Sequence, residues 1–289
     1  MKTRRIMTLL YYWRPDNYIR DLDFGAGYHL NQTNPLLHDV PIGESVWAFT
    51  RNRLGRYVLA AELVVKAKTH NPPNFRYGRF RIWGDIHLSR YFEVQNQPSV
   101  ELVLRNLSCL IRAHYLGQSF QGRAAVRQLV VHDHEILTAV AQNLTLEPRA
   151  RILPEERLEA ALLLGNAATI EQLIADERPG IAEKRAAYLY RQAPSRNQQH
   201  VRQLQDLYNG RCQLCLWHPI DRYGYSLCEG HHIQWLSRGG DDEVGNMVLV
   251  CPNHHRAIHR VDAPLDFQTL AFDFGKHTES IQVNHHIPD

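Results

Sequence analysis

Apolar and polar positions change rhythm twice along the chain. In the first third, short apolar and aromatic runs are bounded by turn residues. Ser45-Val46-Trp47-Ala48-Phe49-Thr50 and the run Arg56 to Val65 read as strands joined by Arg51-Asn52-Arg53-Leu54-Gly55. Phe80-Arg81-Ile82-Trp83 is a third strand. Turns are expected at Gly25-Ala26-Gly27, Pro41-Ile42-Gly43 and Asn71-Pro72-Pro73. Residues 1–97 therefore read as a β-rich domain, a small barrel. From 98 to 207 the spacing becomes helical, over Val100–Tyr115, Glu135–Asn143, Glu155–Leu164 and Gln198–Tyr208. Asp133-x-x-Ile136 and Pro154-Glu155-Glu156 are expected helix starts, and Pro179-Gly180 and Pro194-Ser195 punctuate the run. The turn Asn209-Gly210 opens a third region, 208–289, and the fold class expected is α+β.

Composition adds bounds. A 44% hydrophobic fraction supplies a core without a disulfide scaffold. No apolar run reaches membrane-spanning length, and the basic start is broken too early by Trp13-Arg14-Pro15-Asp16 to be a secretory signal. A cytoplasmic protein with no membrane partner is expected. Residues 1–95 hold fourteen Lys/Arg against eight Asp/Glu, a balance that suits a phosphate backbone as well as an ordinary solvated face.

The five cysteines change the picture most. Cys109, inside an apolar helical stretch, is expected to be a small buried residue. Cys212, Cys215, Cys228 and Cys251 crowd together, and in an intracellular chain such a cluster reads as metal binding. Cys212-Gln213-Leu214-Cys215 and Cys251-Pro252-Asn253-His254 are two knuckles whose spacing lets each tight turn offer two soft ligands, together a closed Cys₃His zinc site. Cys228 is expected to pack nearby, with a competing role as ligand the weaker alternative. His255 and His259, at i and i+4, share a helix face and mark a second metal site. His132, His134 and the tail pair His285-His286 are expected to be solvated.

The run Glu229-Gly230-His231-His232-Ile233, then Gly239-Gly240, then Asn246 to His259, resembles the HNH nucleases with a zinc-knuckle frame. That resemblance implies a ββα-metal fold around one catalytic divalent ion, Mg²⁺ or another such as Mn²⁺, beside the structural Zn²⁺. Position by position it implies that His231, His255 and His259 hold the catalytic ion. It makes His232 the general base and Asn246 the residue that braces the ribbon behind it. His254 stands where many relatives carry a fourth zinc cysteine. Arg238 and Arg256 are candidates for neighbouring phosphates. A knuckle that binds without cutting would leave His231, His232, Asn246, His255 and His259 idle.

The first ninety residues resemble, more loosely, the PUA-like barrel superfamily that includes EVE domains. The pattern lies in Tyr11-Tyr12-Trp13-Arg14-Pro15-Asp16-Asn17-Tyr18, Pro41 to Phe49 and Leu59 to Ala67. Such domains can hold an extruded base, and Trp13, Trp47, Tyr57, Tyr77 and Trp83 are the candidate pocket walls, with core packing the competing role for each. A base-reading barrel joined to an HNH module is similar to the modification-dependent restriction endonucleases, with DNA, modified or not, as partner. The alternatives are an HNH nuclease or nickase without modification dependence, and a non-catalytic zinc nucleic-acid-binding protein. A homodimer would bring two catalytic ions to the two strands.

Overall fold

The structure is a computed structural model that describes residues 7–23, 29–85, 88–147, 166–175, 198–235 and 240–288. The chain divides into two compact units, the first holding most of the described residues up to 147 and the second those from 166 onward, with Thr69–Pro73 counted in the second. Among the described residues no helix is long and apolar enough to cross a membrane.

The first unit is built on one sheet. Its strands are β1 (Thr8–Tyr12), β2 (His29–Gln32), β3 (Ser45–Arg51), β4 (Tyr57–His70), β5 (Phe80–Gly84), β6 (Arg90–Tyr91) and β7 (Val126–Leu129). The order is β2-β5-β4-β3-β1-β7, with β6 pairing β4. The three strands read from the sequence are present, each within a few residues of its expected bounds. The closed barrel is not: β2 pairs only β5 and β7 only β1, so the pairing among the described residues runs open from end to end. A strand from 126–129 supplies one of the two outer positions, beside β1, which runs parallel to β3.

That strand also corrects the expectation of an all-helical stretch after residue 98. The predicted helix Val100–Tyr115 stops early, as α3 (Glu101–Asn106), if α1 (Pro15–Asp23) and α2 (Leu36–Asp39) are counted before it. Leu104, Leu107 and Leu110 are all fully buried, and the backbone closes Leu107 N–H on Leu104, Leu110 N–H on Leu107 and Ala113 N–H on Leu110. A three-residue repeat of buried positions is met by successive tight turns better than by a 3.6-residue helix. The next helix, α4 (Val131–Ala141), starts two residues before Asp133. The Asp133 carboxylate accepts from the backbone of Val130 and Ser108 and from the Ser108 hydroxyl, which ties the turns to the helix start. The expected helix Glu155–Leu164, with its start at Pro154, lies outside the described residues, as do Pro179-Gly180 and Pro194-Ser195. A short α5 (Ala167–Ala175) is described in that region.

Core packing in this unit takes up most of its aromatic residues. Trp47, Phe49, Leu59, Phe92 and Leu104 are fully enclosed. Trp47 donates its indole N–H to His134 Nδ1 at 3.0 Å, so His134 is a packing partner and only His132 is the solvated histidine expected. Buried Glu62 accepts from Ser45 Oγ at 2.7 Å and from both Nε and Nη2 of Arg90.

The second unit gathers α6 (Gln198–Leu207), α7 (Ile220–Tyr223), the ribbon β8 (Glu229–His232) with β9 (Met247–Val250), α8 (Pro252–Val261), and the small sheet β10 (Leu265–Asp266), β11 (Ala271–Asp273), β12 (Thr278–Ser280). Its core joins Leu204, Met247–Val250, Ile258, Leu265, Phe272 and Ile287. Gly230 permits this packing, since a Cβ there would meet Met247 Cε at 2.6 Å and Val201 Cγ2 at 3.0 Å. The tail is not solvated as expected: His286 engages the Met247 carbonyl at 2.9 Å, and the His285 ring stacks on Tyr208. Ile287 behind them is buried, and that apolar anchor draws the two histidines in.

Glu62→Ala should lower the stability of the first unit by about 3 kcal/mol, because it strips the partners from Ser45 and Arg90 together. Denaturant unfolding followed by tryptophan fluorescence measures it, and an unchanged midpoint would show that the network carries no weight.

Candidate metal centres and active site

The first knuckle is locked onto the ribbon by Gln213. Its backbone N–H donates to Leu249 at 2.8 Å, and its side-chain Oε1 accepts from Leu249 N–H at 2.7 Å. Its Nε2 donates to the Val283 carbonyl. Leu216, with φ of 60°, turns the chain back so that its N–H closes on Cys212 at 2.9 Å. Cys212 and Cys215 are thereby held beside the end of β9, where Cys251 caps α8 and Pro252 opens it.

The donors of Cys212, Cys215, Cys251 and His254 all lie within 4.8 Å of one another. His254 Nδ1 is 3.2 Å from Cys251 Sγ and 3.6 Å from Cys212 Sγ, and Cys215 Sγ is 4.0 Å from Cys251 Sγ. Bonds of about 2.3 Å to sulfur and about 2.0 Å to nitrogen place tetrahedral donors at roughly these separations. The far nitrogen of the same ring, Nε2, meets Glu279 at 2.8 Å, which aims Nδ1 at the thiols. Burial pushes the Cys212 thiol up to about 12 and raises Cys251, with neighbouring thiols adding to the rise. A bound dication reverses that cost, so the donor set fits zinc. Cys228 is buried in the adjacent core, its thiol also pushed up to about 12 by burial and by Cys251 and Cys215, and it is outside the four-donor set.

A second cluster brings together His231, His255 and His259. Residues 255 and 259 stand one turn apart on α8, with their Nε2 atoms 3.3 Å from each other. Glu229, at the start of β8, engages His255 Nδ1 at 2.6 Å and so fixes Nε2 as the inward nitrogen. His231 is enclosed, and neither of its ring nitrogens has a hydrogen-bond partner among the described residues. Burial, then the charges of His259, His255 and His232, hold it well below the usual histidine range. The ring is neutral at pH 7, and a neutral imidazole with unsatisfied nitrogens is what a divalent ion requires. Trp235 walls this cluster, its ring 4.4 Å from that of His259.

His232 follows directly on β8 and is 2% exposed. Its Nε2 lies 2.9 Å from Asp242 Oδ1. A carboxylate there holds the proton on Nε2 and leaves Nδ1 as the basic nitrogen. Asn246 closes the loop between: Oδ1 accepts from Gln234 N–H at 2.8 Å, and Nδ2 donates to the carbonyls of Gln234 and Asp241. Gly240 is required in this loop, because a Cβ would overlap the Gln234 carbonyl. Arg256 is exposed on α8, and Arg238 lies outside the described residues.

The five aromatic residues of the first unit are not brought into one wall. Trp47 and Tyr57 belong to the core, and the Tyr57 hydroxyl accepts from Arg51 and from Gly117 N–H. Trp13 packs edge-on against Tyr18. Trp83 is 8% exposed and lies beside Arg81, whereas Tyr77, 39% exposed, packs edge-on against Phe75. Cys109 is half-buried, its thiol pushed up to about 11 chiefly by burial.

The HNH endonuclease family model matches residues 212–260, the span from the first knuckle through α8. This module is an HNH endonuclease domain. Over 73 residues the chain is 27% identical to "Anaredoxin" of Nostoc sp. (strain PCC 7120 / SAG 25.82 / UTEX 2576), a match covering 25% of this chain and 88% of that protein. Among solved structures, the Type IV phosphorothioation-dependent restriction endonuclease ScoMcrA aligns at 16% identity with a TM-score of 0.20, over 75% of this chain. The chain spans 42% of that structure's length. Asp242, Glu229, Glu279 and Gln213 were not singled out as site residues from the sequence; an acid close to histidines in the chain was the available signal for Glu229.

Cys212→Ser should cost the chain its zinc and lower its thermal midpoint by about 5–10 °C, as removal of a structural site does in a small module. Metal analysis of the purified protein together with calorimetry checks this; full zinc content in the variant would remove Cys212 from the ligand set.

Proposed function

We propose that the chain is a metal-dependent DNA endonuclease that hydrolyses phosphodiester bonds and serves restriction of modified DNA. The observation that carries the nuclease reading is the placement of His232, paired with Asp242, directly beside the His231–His255–His259 cluster. A zinc module that only binds has no use for a second, all-nitrogen cluster with an oriented imidazole next to it.

In this reading His231, His255 and His259 hold a divalent ion, Mg²⁺ or Mn²⁺. When bound, the ion neutralises charge on the phosphate and on the leaving oxygen. His232 accepts the proton of the attacking water on Nδ1, while Asp242 keeps its Nε2 proton in place and stabilises the imidazolium that results. Asn246 keeps the loop that carries Asp242 in register with β8. Glu229 orients His255, and Cys212, Cys215, Cys251 and His254 hold the knuckles around Zn²⁺. Arg256, exposed one residue beyond His255, would meet a neighbouring phosphate in this reading, and Arg238 is the second candidate for that role. A homodimer would place two such centres for a double-strand break.

His232→Ala should lower plasmid cleavage in Mg²⁺ or Mn²⁺ by about 10²–10⁴-fold while zinc content stays full. Asp242→Asn should lower it by about 10–100-fold. Cleavage by His232→Ala at the wild-type rate would sink the mechanism.

The restriction part is tested separately. Plain, methylated, hydroxymethylated and phosphorothioated DNA are offered in parallel, and cleavage should favour one of the modified substrates. Equal cleavage of all four would leave an HNH nuclease or nickase without modification dependence.

A further inference from the structure

From Lys66 to Gly84 the chain carries five Lys/Arg and no Asp or Glu, and its arginines alternate with aromatic residues: Phe75, Arg76, Tyr77, Arg79, Phe80, Arg81, Trp83. Most of these arginines are exposed, but Arg81 is not. It sits on β5 and is 4% exposed. Its Nε donates to Asn31 Oδ1 at 2.8 Å, across the β2–β5 pair at the register Asn31↔Arg81. The next pair along the same face is His29↔Trp83, with rings 5.5 Å apart. The guanidinium carbon lies 5.0 Å from the Trp83 ring centre and 5.3 Å from that of Phe75. Phe75 is held there by a turn that Gly78 makes possible, with φ of 107° and its Cα against the backbone of Gln32.

No carboxylate faces this cation among the described residues, and burial alone pushes it down to about 9. Arg90, on β6 of the same sheet, is paired with Glu62. Among the described residues the two Nη groups of Arg81 have no acceptor, and neither is an enclosed orphan, so the fork is where the side chain meets the surface. Rings across the guanidinium and Asn31 on Nε leave only that planar fork for a ligand. A neutral base edge could fill its hydrogen bonds, but only an anion offsets the uncompensated charge. Two parallel acceptors on one negative group is the geometry of a phosphate.

We propose that Arg81, oriented by Asn31 and flanked by Phe75 and Trp83, is a seat for a backbone phosphate of bound nucleic acid. The choice of nucleic acid as the source of the phosphate rests on the nuclease reading. Arg76, exposed over the Tyr77 ring on the same segment, extends the basic surface beside it.

The test reads binding, in the full-length chain carrying His232→Ala so that DNA stays intact, by fluorescence anisotropy of a short labelled duplex across a series of salt concentrations. Arg81→Gln should weaken binding about tenfold and flatten the log–log salt dependence by about one unit. Its thermal midpoint should hold or rise, since a buried, unpaired charge has been removed. Arg81→Lys keeps charge without the fork and should fall between the two. Unchanged affinity and salt slope in folded Arg81→Gln overturn the proposal. Loss of cooperative unfolding in both variants also overturns it, by making Arg81 a structural part. The nuclease reading fails independently: wild-type chain that binds through Arg81 but leaves the duplex whole in Mg²⁺ and Mn²⁺ refutes cutting and leaves the phosphate seat standing.

Discussion

Cys251 is the residue on which the second unit turns. It follows β9 directly, caps α8, and supplies one donor to the four-donor cluster. Its place is set by the Gln213 lock, which pairs the first knuckle with Leu249 two residues earlier. Once Cys251 and His254 face the first knuckle, the rotational phase of α8 is settled. His255 and His259 then emerge together on the side of β8, where His231 waits. A helix turned by one residue, or about 100°, would present different side chains to both clusters. The Cys₃His frame and the all-histidine cluster are therefore one mechanical unit, though they share no residue.

Three imidazoles of that unit have an acid on one nitrogen, which leaves the other free to be aimed inward: Glu279 on His254, Glu229 on His255, Asp242 on His232. The acids stand behind the rings, so they fix tautomers without competing for the metal positions. His231 lacks such an acid and is held by burial between Trp235, Phe272 and the other two histidines. Desolvation holds it below the usual histidine range, whereas in its neighbours a hydrogen bond sets the tautomer. The first unit follows the rule with Glu62 behind Arg90 and breaks it at Arg81.

These differences explain what could be read in the chain beforehand. The pairs Cys212–Cys215, Cys251–His254 and His255–His259 were legible because their donors sit three or four residues apart, and such spacings survive any tertiary arrangement. The strands β3, β4 and β5 were legible for the same local reason. The open sheet was not, because β7 is recruited from residue 126, far from the strands that suggested a barrel. The tight turns after α3 share their leucine spacing with a helix, and hydrogen-bond ring size alone separates the two. Asp242 lies ten residues from His232, across a loop that only Gly240 can close, and no short motif encodes that approach. The tail histidines were misread because Ile287, one apolar residue at a polar end, is a faint signal until Tyr208 is seen beside them.

Aromatic residues pose the opposite problem, a strong signal with several outlets. Trp13, Trp47, Tyr57, Tyr77 and Trp83 all suited a pocket by type, but a sheet with so much apolar area on its faces claims large rings for packing first. Trp47 and Tyr57 are consumed in this way, and even their polar atoms are spoken for by His134, Arg51 and Gly117. Near β5, by contrast, rings meet a polar group that packing does not explain. A tryptophan beside leucines needs no further purpose, whereas a tryptophan beside a buried guanidinium without an acid leaves a charge for something outside the chain to answer. Charge balance, more than aromatic content, is what separates a recognition surface from a core in this sheet.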